Sequence, residues 1–146
     1  MTFSNKAYRL TMLAVRLVLA AVFLYGAWAK LRTPWELFAM SVDSYHILPL
    51  PWVELVARTL PWLEVLIGVL LLIGIFPRSA AVASSLMLLV FFGLMVRAYA
   101  NGEEINCGCF GPGEMISWKT LLRDGTLLAA SVALAYAAFI RQRKTA

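Results

Sequence analysis

Charge is scarce in this sequence. Only 14% of its 146 residues are Asp, Glu, Lys or Arg, where a soluble domain carries about a quarter. So small a charged fraction cannot cover a water-soluble globule, and it excludes that class. Histidine occurs once, as His46, and cysteine twice, as Cys107 and Cys109. Zinc takes about four ligands, so a metal centre would have to recruit carboxylates or a second subunit, and none is expected. Acidic residues number 8 against 13 basic ones, a formal charge of +5. The basic residues sit at the ends of apolar runs rather than along a phosphate-facing stripe, which sets nucleic-acid binding aside. No motif for a nucleotide, haem or flavin is present either.

What is abundant is apolar: 62% of the residues are hydrophobic and the mean hydropathy is strongly positive. A spanning helix needs about 20 mostly apolar residues, and four windows qualify, at about 11–31, 53–76, 79–100 and 121–140. The expected fold is therefore all-α: an integral membrane four-helix bundle in one domain over 1–146, embedded in the lipid bilayer. Only Pro77 and Arg78 separate the second window from the third, so these two are expected to form a tight antiparallel hairpin. Ala27-Trp28-Ala29 resembles a signal cleavage site, but the first window is too long for a signal core and holds Arg16, which favours a retained helix.

Orientation follows from Lys and Arg near the spans. With the amino terminus inside, Lys6, Arg9, Arg78, Arg141, Arg143 and Lys144 fall on the cytoplasmic side, and no acid accompanies them. Both termini are then cytoplasmic, the loops at about 32–52 and 101–120 are periplasmic, and the protein is a multi-pass component of the bacterial inner membrane. Trp28, Trp35, Trp52, Tyr99 and Trp118 cluster near the outer boundary, as interfacial aromatics do.

The two cysteines stand one residue apart, in Asn106-Cys107-Gly108-Cys109-Phe110-Gly111. In a periplasmic loop a disulfide can persist, and Gly108 supplies the freedom to close a small ring. Such a link closes almost no chain, so it adds little by restricting the unfolded state. Strained or exposed disulfides are the labile, oxidising ones. A pair that does little for stability points to redox chemistry, with Cys107 and Cys109 as the catalytic candidates. The competing readings are inert thiols, a local staple, or half of a metal site. Arg97, Lys119 and Arg123 would favour a thiolate nearby, while Glu103, Glu104 and Glu114 oppose it.

Ionisable residues inside spans are costly and face the bundle interior or water. Arg16 and Lys30 lie close to four helical turns apart and share a stripe with Ala20, Phe23 and Ala27. Measured from the outer helix ends, Arg16 and Glu64 differ in depth by only about 6 Å, so an Arg16–Glu64 ion pair competes with Arg16 snorkelling inward. Glu54 and Arg58 suit an intrahelical pair, which makes Arg58 interfacial. Pro61 removes a backbone donor one turn before Glu64. Asp124 is expected to pair with Arg97 or Arg58, or to act as a proton acceptor beside the thiols. Arg16, Lys30, Arg58, Glu64, Arg97, Arg123 and Asp124 are the supporting candidates.

Several of these residues together resemble the MauE/DoxX group of membrane proteins, in its methylamine-utilisation branch. They are Arg16, Phe23, Gly26 and Lys30; Tyr45 with Leu48-Pro49; Leu60-Pro61-Trp62-Leu63-Glu64 and Gly68; Cys107-Gly108-Cys109-Phe110-Gly111; and Arg123-Asp124. The resemblance implies a four-helix membrane protein linked to disulfide chemistry, working with a thioredoxin-like partner to mature a disulfide-rich periplasmic enzyme subunit. DoxX-type relatives add an association with sulfur oxidation and quinone reduction, so quinone is the cofactor to consider. Quinone-linked disulfide oxidoreductases of the vitamin K epoxide reductase type offer an analogy at fold level. They use Cys-x-x-Cys pairs plus shuttle cysteines, whereas this chain holds only Cys107 and Cys109.

The leading expectation is a membrane thiol–disulfide redox protein, a disulfide oxidoreductase whose Cys107–Cys109 pair exchanges with a periplasmic thioredoxin-like protein and passes electrons to quinone. Two alternatives stand beside it. One is a non-catalytic assembly factor for a periplasmic or membrane complex. The other is a small sulfur-compound transporter built on Glu64 and Arg16, which would need a homodimer to enclose a path.

Overall fold

The computed structural model describes residues 2–110 and 113–145. Among the described residues the chain forms five helices: α1 (Thr2–Leu31), α2 (Trp35–Asp43), α3 (Leu50–Ile73), α4 (Pro77–Ala100) and α5 (Trp118–Thr145). Four of them, α1, α3, α4 and α5, are long and apolar enough to cross a membrane. Hydrocarbon offers no partner to backbone amides, and a helix satisfies them internally. The chain is thus an all-α, multi-pass membrane protein. Its spans alternate in direction and close a ring in the order α1, α3, α4, α5. The start of α1 and the end of α5 lie at the end of the bundle opposite the cysteine loop.

The helices run further than the apolar windows. α1 starts at Thr2 rather than near residue 11, and α5 continues to Thr145, past the window's end at 140. Hydropathy marks only the lipid-facing part, while the polar turns at Asn5–Arg9 and Arg141–Lys144 carry no Pro or Gly to stop a helix. The connection between α3 and α4 is also displaced from Pro77-Arg78. Gly74 ends α3 in the left-handed region, with its N–H bonded to the Leu70 carbonyl at 2.9 Å. Phe76 is the N-cap of α4 and Pro77 opens its first turn, where a missing N–H costs nothing. The turn is tight, but α3 packs mainly on α1, and α4 on α5.

Small side chains set the close approaches. In α3 the buried stripe is Val53, Ala57, Pro61, Glu64, Gly68 and Leu71, a helical repeat that runs unbroken through Pro61. A Cβ at Gly68 would lie 2.7 Å from Leu24, so α1 and α3 touch there only because the glycine has none. Leu19, Ala20, Phe23, Ile67, Leu71, Ala80, Ala81 and Leu134 form the shared core. Val18, Leu66, Leu72 and Val90 point outward to lipid.

Candidate functional site

The segment between α4 and α5 doubles back on itself. Cys107 N–H donates to the Glu114 carbonyl at 2.9 Å and Ile116 N–H to the Ile105 carbonyl at 3.0 Å, around an antiparallel bridge between Asn106 and Met115. Gly111 and Pro112 lie outside the described residues. Asn106 Oδ1 accepts the Gly108 N–H at 2.9 Å, a local Asx turn. Gly108 has φ +71, and a Cβ on it would sit 3.1 Å from Ser41 and 3.3 Å from Phe38. Both strain and space therefore demand glycine between the cysteines. Ser41 and Phe38 belong to α2, a short helix inside the segment expected to be a plain loop. Too short to span, α2 packs on α3 and forms the floor under Gly108.

Both cysteines are free thiols. Cys107 is buried, with its Sγ 3.6 Å from Glu114 Oε2. Cys109 is half-buried, its Sγ 3.7 Å from Asp124 Oδ2 and 3.9 Å from Met95 Sδ. The Cys109 N–H points at the Cys107 sulfur at 3.4 Å. The hydrogen bond from the Cys109 side chain, helped by that N–H and Arg123, pulls the Cys107 thiol below its ordinary range against burial and Glu114. The same bond, with burial, the neighbouring sulfur and Asp124, pushes Cys109 well above it. Tyr45 donates its hydroxyl to the Cys107 carbonyl at 3.3 Å. Burial first, then the two thiols and Asp124, raise its titration so that it stays protonated.

Two ion-pair systems hold the thiols. In the first, buried Lys30 donates to Glu64 Oε1 and Oε2 at 2.8 and 2.9 Å and to the Cys109 carbonyl at 2.7 Å. Its three N–H bonds are all used, and they tie α1, α3 and the cysteine loop to one atom. Gly26 makes room for that carbonyl, because a Cβ there would come within 3.3 Å of it. In the second, Arg123 bridges two carboxylates: Nη1 bonds Glu114 Oε1, while Nε and Nη2 reach Asp124 Oδ1 and Oδ2 at 2.9 and 3.3 Å. Its guanidinium also covers the Phe110 ring at 4.5 Å.

Of the two competing readings of Arg16, the pair with Glu64 does not form. Lys30 lies opposite Glu64, Leu24 opposite Gly68 and Arg16 opposite Gly74. Side chains lean toward the amino end of their own helix, so on antiparallel helices Lys30 and Glu64 lean toward each other. Arg16 leans away, and its guanidinium rests on Gly74 near the other end of the bundle; Nε is buried without a partner among the described residues. Asp124 pairs with neither Arg97 nor Arg58, because its own neighbour Arg123 reaches it first. Arg97 donates to the Tyr45 carbonyl at 3.4 Å. Arg58 sits exposed, pairing with Glu54 and stacking on Trp35 at 4.3 Å.

Six of the nine candidates therefore meet around the loop: Cys107, Cys109, Lys30, Glu64, Arg123 and Asp124. Arg97 touches it through Tyr45, while Arg16 and Arg58 lie apart. Met95, Ser41 and Phe38 were not singled out by the sequence reading, and only their places in apolar or amphipathic runs mark them. No group of three or more His, Cys, Asp or Glu able to hold a metal occurs among the described residues.

Behind Cys109 a narrow cleft of about 40 Å³ runs into the bundle between α1, α4 and α5. Its walls are apolar, with Val22, Phe23, Met87, Leu88, Phe91 and Leu127, and its loop end carries Cys109, Lys30, Glu64 and Asp124. A four-span bundle with a free Cys-Gly-Cys dithiol at the polar end of an apolar cleft defines a dithiol-bearing membrane protein. The sequence profile of the family described as methylamine utilisation protein MauE matches residues 8–137. The chain is 34% identical over 125 residues to the methylamine utilization protein MauE of Paracoccus denitrificans, covering 84% of this chain and 67% of that one. It is 38% identical over 98 residues to the protein of the same name from Methylophilus methylotrophus, covering 66% and 49%. No solved structure matches it. The chain belongs to the MauE family, and it spans about two thirds and about half of these two relatives.

Proposed function

We propose that the protein is a membrane thiol–disulfide redox protein, in which Cys107 and Cys109 cycle between dithiol and disulfide by exchange with a thioredoxin-like protein. The observation that carries this reading is two free thiols one residue apart, each beside a carboxylate, on a loop clamped to the bundle by Lys30 and Arg123. Exchange runs by thiolate attack on a disulfide sulfur through a mixed disulfide. One S–S bond forms as another breaks, and two electrons and two protons pass between the pairs. The family name adds methylamine utilisation as the setting; the task proposed within it is maturation of disulfide-containing periplasmic proteins. In that setting the protein sits in the bacterial inner membrane with both termini cytoplasmic and the cysteine loop periplasmic.

A quinone is the electron acceptor of this reading; the cleft is too narrow to hold its ring, and the quinone would meet the pair beside Cys109 and Asp124. Bound there, it would supply a two-electron acceptor. This chain's part is to exclude water with Phe110 and Phe91 and to hold the Cys109 sulfur at the cleft's polar end. Alkylation of Cys107 and Cys109 in intact cells, with and without quinone, tests the reading. Cys107→Ser and Cys109→Ser should each abolish exchange. Unchanged maturation in the double serine variant would overturn it and leave a non-catalytic assembly factor.

A further inference from the structure

Each sulfur of the pair has a carboxylate of its own, and one arginine holds both carboxylates in place. Glu114 gives Oε1 to Arg123 and turns Oε2 to Cys107 Sγ at 3.6 Å; Asp124 receives Arg123 on both oxygens and lies 3.7 Å from Cys109 Sγ through Oδ2. We infer that these two carboxylates hold the pair as a dithiol, which makes its disulfide an oxidant that draws electrons from a partner's dithiol. The inference rests on the redox reading above and gives it a direction.

The argument is one of differential bonding. A thiol can donate to a carboxylate, and hydrogen bonds to charged groups are the stronger kind. A disulfide has no proton to donate, so oxidation forfeits both bonds and leaves two carboxylate oxygens facing sulfur lone pairs. A reduced form that is stabilised makes a strongly oxidising couple. The Cys109 N–H, which points at the Cys107 sulfur at 3.4 Å, acts the same way on a Cys107 thiolate.

The other charges near the pair are already committed. From α1, Lys30 has its donors on Glu64 and the Cys109 carbonyl; from α3, Glu64 is paired with Lys30. From α4, Arg97 reaches the Tyr45 carbonyl, and Tyr45, beyond α2, keeps its proton and donates to the Cys107 carbonyl. In the oxidising turn, a partner thiolate attacks one loop sulfur and the Cys107–Cys109 bond breaks. The second partner thiol then displaces that sulfur to close the partner's own disulfide. Two electrons and two protons end on Cys107 and Cys109, whose S–H groups face Glu114 and Asp124.

The full-length protein, equilibrated in lipid discs with glutathione redox buffers of graded ratio and quenched by alkylation for mass spectrometry, tests this. Asp124→Asn and Glu114→Gln should each move the equilibrium toward the disulfide by about tenfold, the loss of one charge-assisted bond. Asp124→Glu and Glu114→Asp keep the charge and should shift it less. A shift below about twofold in both neutral variants, or a shift toward the dithiol, overturns the inference while the redox reading stands. A pair that stays reduced in the most oxidising buffer in the wild type and in every variant alike overturns both. A merely loosened loop would raise alkylation rates without moving the equilibrium, and that outcome also counts against the inference.

Discussion

The Lys30–Glu64 pair allows stability to be separated from positioning. Both side chains are buried, at 1% and 9% exposure, with Nζ 2.8 Å from Oε1. Removing one member strands the other as a buried charge, a loss of about 3–5 kcal/mol, whereas replacing both with apolar groups of similar volume is often neutral or better. Lys30 has a second duty, its 2.7 Å bond to the Cys109 carbonyl. Losing that bond leaves a part-buried carbonyl without its donor, at about 1–3 kcal/mol. Glu64→Leu should therefore lower stability by about 3–5 kcal/mol, and Lys30→Met, which loses the carbonyl bond as well, by about 4–8 kcal/mol. The double variant should fall short of wild type by only about 1–3 kcal/mol, the carbonyl's share. Reversible unfolding in mixed detergent micelles measures all four proteins. Although more stable than either single variant, the double variant should have faster thiol alkylation than wild type, because nothing then holds the loop to α1. Additive losses in the double variant, or wild-type alkylation rates, would refute the reasoning.

Other consequences follow at single positions. Gly68→Ala places a Cβ 2.7 Å from Leu24 and should wedge α1 from α3, lowering stability in the same unfolding assay by about 1–3 kcal/mol. Gly108→Ala meets both a φ of +71 and Ser41 at 3.1 Å; it should cost about 1–2 kcal/mol of backbone strain and raise alkylation of both cysteines. The bond from the Cys109 side chain lowers the Cys107 thiol and, with burial, raises Cys109, which a pH titration followed by thiolate absorbance checks. A thiol ionises as pH rises through its own midpoint, so one thiolate should appear below the ordinary thiol range and the second not at all up to strongly alkaline pH. Cys107→Ser should remove the early step; two steps together in the ordinary range would contradict the coupling. Arg58→Ala, at an exposed pair with Glu54, should change stability by less than about 1 kcal/mol.

The four spans were legible because lipid imposes a single rule, about 20 apolar residues per crossing, and the chain obeys it in each of α1, α3, α4 and α5. The shared stripe of Ala20, Phe23, Ala27 and Lys30 was legible for a similar reason, since helical periodicity alone puts these residues on one face, and all four are buried. Which residue meets Lys30 is a different kind of question. Depth along a helix was counted from window ends, and α3 begins at Leu50, three residues before its window. More decisively, the count located Cα atoms, whereas ion pairs form between side-chain tips. On an antiparallel pair the tip of Lys30 moves toward Glu64 and the tip of Arg16 moves away, so similar backbone depth did not make Arg16 the partner.

A similar limit hid the loop's inner contacts. α2 is nine residues long, too brief for hydropathy to separate from a loop, yet its Phe38 and Ser41 dictate glycine at position 108. Arg123 and Asp124 were visible as charges near the cysteines, but their bond is between sequence neighbours, which ordinarily do not face each other on a helix. What turns Asp124 from a surface acid into the companion of Cys109 is that Arg123 reaches back along the helix end and, through Glu114, binds the far strand of the loop. The site is thus assembled by cross-links between segments, with Lys30 and Arg123 as the two tethers, and single-segment patterns carry information about each anchor point but not about the tether between them.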